Sequence, residues 1–387
     1  MKQNLTIFAF LFCSIIAGSG QEAPWRFSRV RSPELQSDRS VTFNLFAPEA
    51  SGIVLNGGWM GWGTSEPLIR NDTGLWSVTV GPLEPEIYTY AFYVDGVKVL
   101  DPANTGIVRD GRRFESMLLV PGEGSSLYMV RDVPHGTLAK VWYESPTLEM
   151  HRRMYVYTPP GYEQGGKEYP VLYLLHGGGG DEDAWTTLGR TCQIMDNLIA
   201  ENRCRPMIVV MTNGNPGDAA APGEEPVLEE EKQRGGAFDM GTRRFEESLV
   251  KDVIPYVEEH YRTLDGRENR TVSGLSMGGM QTMNLGFDYP EMFAYYGVMS
   301  MGITENDRSG RDWFPDLETR MQHLKESGYE LYWIGCGTDD FLHDAALNLV
   351  AEMEKRDMEV VYLETGGGHT WSNWRIYLSE LASLLFR

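Results

Sequence analysis

Near residue 140 the hydrophobic pattern of the chain changes period, and that change limits the folds open to it. Upstream, VTFNLFAP, GIVLN, LWSVTVG and IYTYAFYVDG are alternating or β-rich runs separated by Gly, Pro, Asn and Asp, the pattern of short strands with no helical period. Downstream, RRMYVYTPP, YPVLYLLHG, PMIVVMTNG, ELYWIGCGTDD and VVYLETGGGHTW are strand-like and alternate with amphipathic stretches such as FEESLVKDVIPYVEEHYRT. Short strands alone build a β-sandwich, whereas strands alternating with helices build a largely parallel sheet covered on both faces. The pattern predicts two domains, an immunoglobulin-like all-β sandwich over residues 25–122 and an α/β domain over residues 130–387, joined through PGEGSSLYMVRDVPHG. In an open α/β sheet a ligand site is expected at the carboxyl ends of the strands.

The first residues, MKQNLTIFAFLFCSIIAGSGQ, carry one lysine, an apolar run and then small residues. That is the layout of a secretory signal peptide over residues 1–20, and its apolar run is too short to span a bilayer. The expected location is secreted or periplasmic, with no membrane span. A formal charge of -21 gives the protein no electrostatic reason to bind nucleic acid. Cys192, Cys204 and Cys336 are expected to be free thiols, because Cys192 and Cys204 on one continuous helix would lie roughly 18 Å apart, beyond the reach of a disulfide.

The chemistry is carried by GLSMGG, which places Ser276 between Gly274 and Gly278, after the strand-like RTVS and before a helix-like stretch. A serine held on such a turn is exposed as a nucleophile, and glycines flank it because the turn leaves no room for side chains. A hydroxyl is a poor nucleophile at neutral pH, so a base must take its proton and an acid must orient the base. Of the seven histidines, His369 lies in the glycine-flanked GGGHTW after the last predicted strand. His260 and His323 fall on polar helix faces, His135 and His151 lie upstream of the α/β core, and His176 is expected to fix the loop that follows it. The acid should fall between serine and histidine at a strand end. There, IGCGTDDFLHD offers Asp339, Asp340 and Asp344, with Asp340 preferred and Asp339 left open. The oxyanion of the tetrahedral intermediate needs two donors, expected from the backbone amides of Met277 and of Gly178 in HGGGGDE. The dispersed histidines and cysteines make no metal-ligand pattern, and triad hydrolysis requires neither metal nor cofactor. NPGDAAAPGEEPVLEEEKQRGGAFDMG, roughly residues 215–241, reads equally as an active-site lid or a disordered surface insertion.

Taken together, VPHGTL, VYTPPGY, YPVLYLLHGGGGDEDAW, MDNLIAE, PMIVVMTNGN, GLSMGG, CGTDDFL and GGGHTW resemble the esterase D-like α/β-hydrolases of carbohydrate esterase family one, which includes feruloyl and acetylxylan esterases. The resemblance covers about residues 130–387. It implies an α/β-hydrolase fold, Ser276 as nucleophile, His369 as base, Asp340 rather than Asp339 as acid, and Met277 with Gly178 as oxyanion donors. The N-terminal segment resembles the glycogen-binding-like modules of carbohydrate-binding family 48. There Trp62 occupies the place of a sugar-stacking ring, while VDGVKV lacks the second tryptophan of a binding member and Trp76 is expected in the core. The resemblance implies a plant cell-wall polysaccharide or feruloylated oligosaccharide as partner. Trp185, Phe238, Trp371 and Trp374 are candidates for an aromatic pocket suited to a feruloyl group. Acetylxylan esterase, siderophore esterase and a carbohydrate-binding protein with an inactive hydrolase domain are the alternatives.

Overall fold

A computed structural model describes residues 30–61, 63–226, 242–304 and 314–387. The predicted leader over residues 1–20, the candidate residues Trp62 and Phe238, and residues 227–241 of the long loop lie outside the described residues.

Two antiparallel sheets form the N-terminal sandwich. One runs in the order Glu34–Leu35, Val41–Phe46, Leu75–Val80, Ile69–Arg70. The other runs Glu66–Pro67, Ile53–Gly57, Ile87–Val94, Arg113–Leu119, Ile107–Asp110, with Val97–Val99 added to Ile87–Val94. Alternate residues point inward, as strand geometry requires. Val41, Phe43 and Leu45 from the first sheet meet Ile53, Leu55, Tyr90 and Phe92 from the second. Trp76 is buried in this core and donates its indole N–H to the Ala47 carbonyl at 2.8 Å.

The second domain is an eight-stranded sheet. Its strands are β1 (Thr137–Ser145), β2 (Met150–Thr158), β3 (Val171–Leu175), β4 (Ile208–Thr212), β5 (Arg270–Leu275), β6 (Tyr295–Met299), β7 (Leu331–Gly337) and β8 (Val361–Thr365). Their spatial order is β1-β2-β4-β3-β5-β6-β7-β8. β2 runs antiparallel to both β1 and β4, and every pair from β4 to β8 is parallel. β3, β4 and β6 are buried at every position, because helices cover both faces of a parallel sheet. The strand alternation divides the core in two. Val171, Tyr173 and Leu175 face one layer, with the Arg244–Ser248 helix and its continuation, while Leu172 and Leu174 face the other, with the Trp371–Ala382 helix.

From β3 the chain crosses to β4 on one side, while β5 lies on its other side. This reversal opens a crevice outside the carboxyl ends of β3 and β5. The HGGGG loop leaves the first of these strand ends and GLSMGG the second.

Candidate active site

Ser276 sits between β5 and the Met277–Asp288 helix with φ 52° and ψ -114°, a strained conformation for a residue with a side chain. The turn is closed by near contact of backbone on backbone. A Cβ on Gly274 would come within 2.5 Å of the Gly278 carbonyl carbon, and one on Gly278 within 2.6 Å of the Leu175 carbonyl oxygen. Those clashes are the reason both flanking residues are glycine. The Ser276 amide donates to the Met299 carbonyl at 2.9 Å, which ties the bend to the end of β6. Met277 opens the helix, so its N–H belongs to the first turn, whose amides have no partner within the helix. The glycine run after β3 lies against the same bend. A Cβ on Gly177 would lie 3.4 Å from the Ser276 Cβ, and Gly178 next to it is exposed.

His176 anchors that loop. Its Nδ1–H donates to the Gly177 carbonyl at 2.7 Å and its Nε2 accepts from the Gly214 amide at 2.7 Å. Burial holds its imidazole below the usual histidine range, so the ring stays neutral and both of its hydrogen bonds are kept. Gln281, one turn into the Met277–Asp288 helix, donates to the Gly214 carbonyl at 2.9 Å and joins the β4 loop to the assembly. The described start of the 215–241 loop packs inward as well. Ala220 and Ala221 are buried, and Arg152 on β2 donates to the carbonyls of Asn213, Asn215 and Asp218.

His369 follows β8, and its Nδ1–H lies 3.0 Å from each carboxylate oxygen of Asp340, which follows β7. The bidentate contact leaves Nε2 as the nitrogen able to take a proton. Burial alone would raise the Asp340 pKa, but hydrogen bonds from His369, the Leu342 amide and the Ser300 hydroxyl outweigh it and hold the carboxyl below its ordinary value. Asp339 is exposed, and its amide closes the turn onto the Gly367 carbonyl at 3.0 Å.

Aromatic rings brace the imidazole. Trp374 and His369 form a T-shaped pair with centroids 4.9 Å apart, Trp371 meets Trp374 at 5.1 Å, and Trp185 meets Trp371 at 5.2 Å, each pair close to perpendicular. Trp374 also donates its indole N–H to Ser300 Oγ at 2.9 Å. Because Ser300 directly follows Met299, which binds the Ser276 amide, this contact brings the serine bend and the histidine loop into one neighbourhood.

The pocket expectation is corrected in part. Trp185 is only 1% exposed and its N–H is satisfied by the Leu175 carbonyl at 2.9 Å, so it belongs to the core. Trp374 is buried behind the histidine, and Trp371 alone of the three is partly open. Two residues were not foreseen. Ser300 joins Trp374 to Asp340, and Phe341, 76% exposed, stands with its ring centroid 4.5 Å from that of the imidazole. Phe341 could have been noticed as the apolar residue directly after the acid; Ser300 carries no sequence signal. Among the described residues no group of three or more His, Cys, Asp and Glu side chains is placed to hold a metal ion, and no helix is long and apolar enough to cross a membrane.

The structure thus holds a serine on a strained bend, a glycine run against that bend, and an imidazole held by a buried carboxylate. The esterase family model matches residues 145–383, more than half of the sequence, and the chain belongs to that family. An endo-1,4-beta-xylanase/feruloyl esterase of Xylanibacter ruminicola is 29% identical over 363 residues, covering 92% of this chain and 46% of that protein. The chain thus spans less than half the length of that relative. An esterase of Mycobacterium tuberculosis is 30% identical over 160 residues, 40% of this chain and 31% of its own. Among solved structures, a CE1 ferulic acid esterase from the anaerobic fungus Anaeromyces mucronatus has a TM-score of 0.55 at 27% identity, covering 67% of this chain and 95% of the other. The enterobactin esterase of Shigella flexneri has a TM-score of 0.63 at 17% identity, covering 89% and 92%. That last likeness is one of fold, and its coverage extends beyond the α/β-hydrolase domain into the sandwich.

Proposed function

We propose that this protein hydrolyses carboxylic esters through an acyl-enzyme, with Ser276 as nucleophile, His369 as general base and Asp340 as the acid that orients it. The observation that carries the reading is the His369–Asp340 contact, with both carboxylate oxygens 3.0 Å from Nδ1, at the strand ends beside the Ser276 bend. In this reading Ser276 Oγ attacks the ester carbonyl while His369 Nε2 takes its proton. The oxyanion is met by the amides of Met277 and Gly178. The imidazolium then protonates the departing alcohol, and water repeats the sequence on the acyl-enzyme.

The proposed substrate is a feruloyl ester of a plant cell-wall polysaccharide such as arabinoxylan. It is supported by the feruloyl esterase names of the Xylanibacter relative and the Anaeromyces structure and by the exposed ring of Phe341 and the partly open Trp371. Export through the N-terminal leader fits a polymeric substrate outside the cell, and amino-terminal sequencing of the mature protein tests that part. The deciding experiment compares hydrolysis of methyl ferulate and of acetylated xylan by the wild type and by Ser276→Ala. Release of ferulate by the wild type alone supports the reading. Equal rates for both proteins overturn the triad, and turnover of acetylated xylan only would replace the acyl group.

A further inference from the structure

The hairpin formed by Ile107–Asp110 and Arg113–Leu119 of the sandwich reaches the glycine loop of the other domain. Arg109 forms a two-pronged ion pair with Asp181, one prong at 3.0 Å, and adds Asp183 at 3.4 Å. Both carboxylates stand just past Gly177–Gly180, the run whose first residue lies against the Ser276 bend. The pair is largely removed from solvent, with side-chain exposures of 13% for Arg109 and 3% for Asp181. At the hairpin tip Gly111 has φ 56°, and a Cβ there would come 2.0 Å from the Gly179 carbonyl oxygen. The tip therefore touches the backbone of the loop itself. Between the two aspartates, Glu182 is held from the other side by Arg153 at 2.8 Å and by the Ala221 amide at 2.9 Å. The three consecutive acids are thus gripped alternately by the sandwich and by the α/β domain.

A glycine-rich loop has a large conformational freedom of its own. Stabilising an oxyanion depends on amides already fixed at the right place before charge develops. We propose that Arg109 is a positioning residue of the esterase reaction, and that the sandwich completes the active site by fixing the oxyanion loop through Asp181, Asp183 and the Gly111 contact. The proposal rests on the acyl-transfer reading of Ser276 and Gly178 given above. Arg109 does not touch substrate; it acts through the loop. Its planar fork suits a bidentate carboxylate in a way that a lysine ammonium does not.

The test uses the full chain, p-nitrophenyl acetate as substrate, and active sites counted by the burst of p-nitrophenol, so that misfolded molecules drop out of the rates. Arg109→Ala is expected to lower kcat per active site about 10- to 100-fold with KM changed less than about twofold, since a misplaced loop affects charge development more than ground-state binding. A trifluoromethyl ketone, which forms the same oxyanion with the serine, should lose affinity by the same factor as kcat. Arg109→Lys should recover part of both losses. Gly111→Ala, which keeps the ion pair and pushes on Gly179, should lower kcat in the same way and provides the measurement if Arg109→Ala does not fold. Arg113→Ala, an exposed arginine of the same hairpin, should match the wild type. Wild-type kcat and ketone affinity in the Arg109 and Gly111 variants would overturn the proposal, as would a loss of kcat with ketone affinity unchanged. Activity retained by Ser276→Ala would instead overturn the underlying reading, so the two failures are distinguishable.

Discussion

Replacing Ser300 with alanine removes one oxygen from the middle of the candidate site, and the structure sets the size and the pH dependence of the effect. Ser300 is fully buried; its Oγ accepts the Trp374 indole N–H at 2.9 Å and donates to the Asp340 carboxylate. Without it the buried indole N–H has lost its acceptor, at about 1–3 kcal/mol, and the carboxylate has lost a donor, where bonds to charged groups contribute about 1.5–3 kcal/mol. The two losses share one cavity and do not add fully, so a destabilisation of about 2–4 kcal/mol is expected in urea unfolding at neutral pH. Backbone strain does not change, because alanine inherits the same φ of 48°. The carboxylate part must depend on pH. The folded-state pKa of Asp340 lies below its ordinary value of 3.8, so its charge stabilises the fold above that value and the contribution is lost as pH falls through the folded-state pKa. Taking away a donor raises the folded-state pKa, so the gap between wild type and variant should be widest near neutrality and narrow below about pH 4, leaving the indole part. A loosened carboxylate also orients His369 less well, and kcat should fall roughly tenfold. A destabilisation under about 0.5 kcal/mol, or one constant from neutral to acid pH, would refute the reasoning.

Further outcomes follow from the same geometry. Asp340→Asn should lower kcat by about 10²–10⁴ with little change in KM, because the amide no longer fixes the imidazole tautomer; exposed Asp339→Asn should stay within about twofold. Phe341→Ala should leave the unfolding midpoint unchanged, since a 76% exposed ring contributes little to folding, yet raise KM for methyl ferulate several-fold; an unchanged KM would remove Phe341 from the substrate contact. Burial pushes the Cys192, Cys204 and Cys336 thiols up to about 12, so at pH near 8 a disulfide reagent should find them unreactive in the folded protein and reactive in guanidinium.

The parts of the site that were legible in the sequence are those fixed by local sterics. Gly274 and Gly278 announce the Ser276 bend because nothing larger fits, and the glycines around His369 mark a loop at a strand end. Strands buried on both faces, such as VLYLL and IVVMT, read directly as apolar runs. β1 was missed because it is an edge strand, its exposed Leu138, Lys140, Trp142 and Glu144 interleaved with more buried residues directly after the stretch that reads as linker. β6 is a five-residue apolar run, too short to separate strand from helix by period. A turn sets Asp340 rather than Asp339 against the imidazole: the Asp340 amide donates to the Gly337 carbonyl at 3.1 Å, and its carboxylate meets His369 Nδ1. Trp185 was misplaced because an indole near a glycine loop looks like a pocket wall until its N–H is seen to end on Leu175. Contacts across the domain boundary left no trace, since Arg109 on a strand reads as an ordinary surface charge and its partner lies 72 positions away.

That boundary carries a final prediction. Arg375, in the helix that begins two residues after His369, is only 2% exposed. It donates to the Leu188 carbonyl at 2.7 Å, and its carboxylate partner, at 2.7 Å, is Glu86 of the sandwich. Tyr128 donates to the same carboxylate at 2.6 Å and lies under the guanidinium at 4.8 Å. A fragment beginning at residue 130 would lose Glu86 and Tyr128 together. It would strip Arg375 of the counter-charge whose removal from the intact, buried pair costs about 3–5 kcal/mol, and would uncover the apolar surface now packed against Ile87, Met117, Leu119 and Leu127. Loss of that size is comparable with the whole stability of many domains, so the fragment should be insoluble or unfold at much lower urea than the intact chain. Glu86→Gln in the full protein separates charge from packing, because it keeps the covered surface and a hydrogen-bond acceptor while removing the counter-charge. If the ion pair dominates, the substitution destabilises by most of that amount; if it unfolds like the wild type while the fragment fails, apolar burial alone holds the domains together. A soluble, fully active fragment would show that the sandwich has no part in holding the helix behind His369.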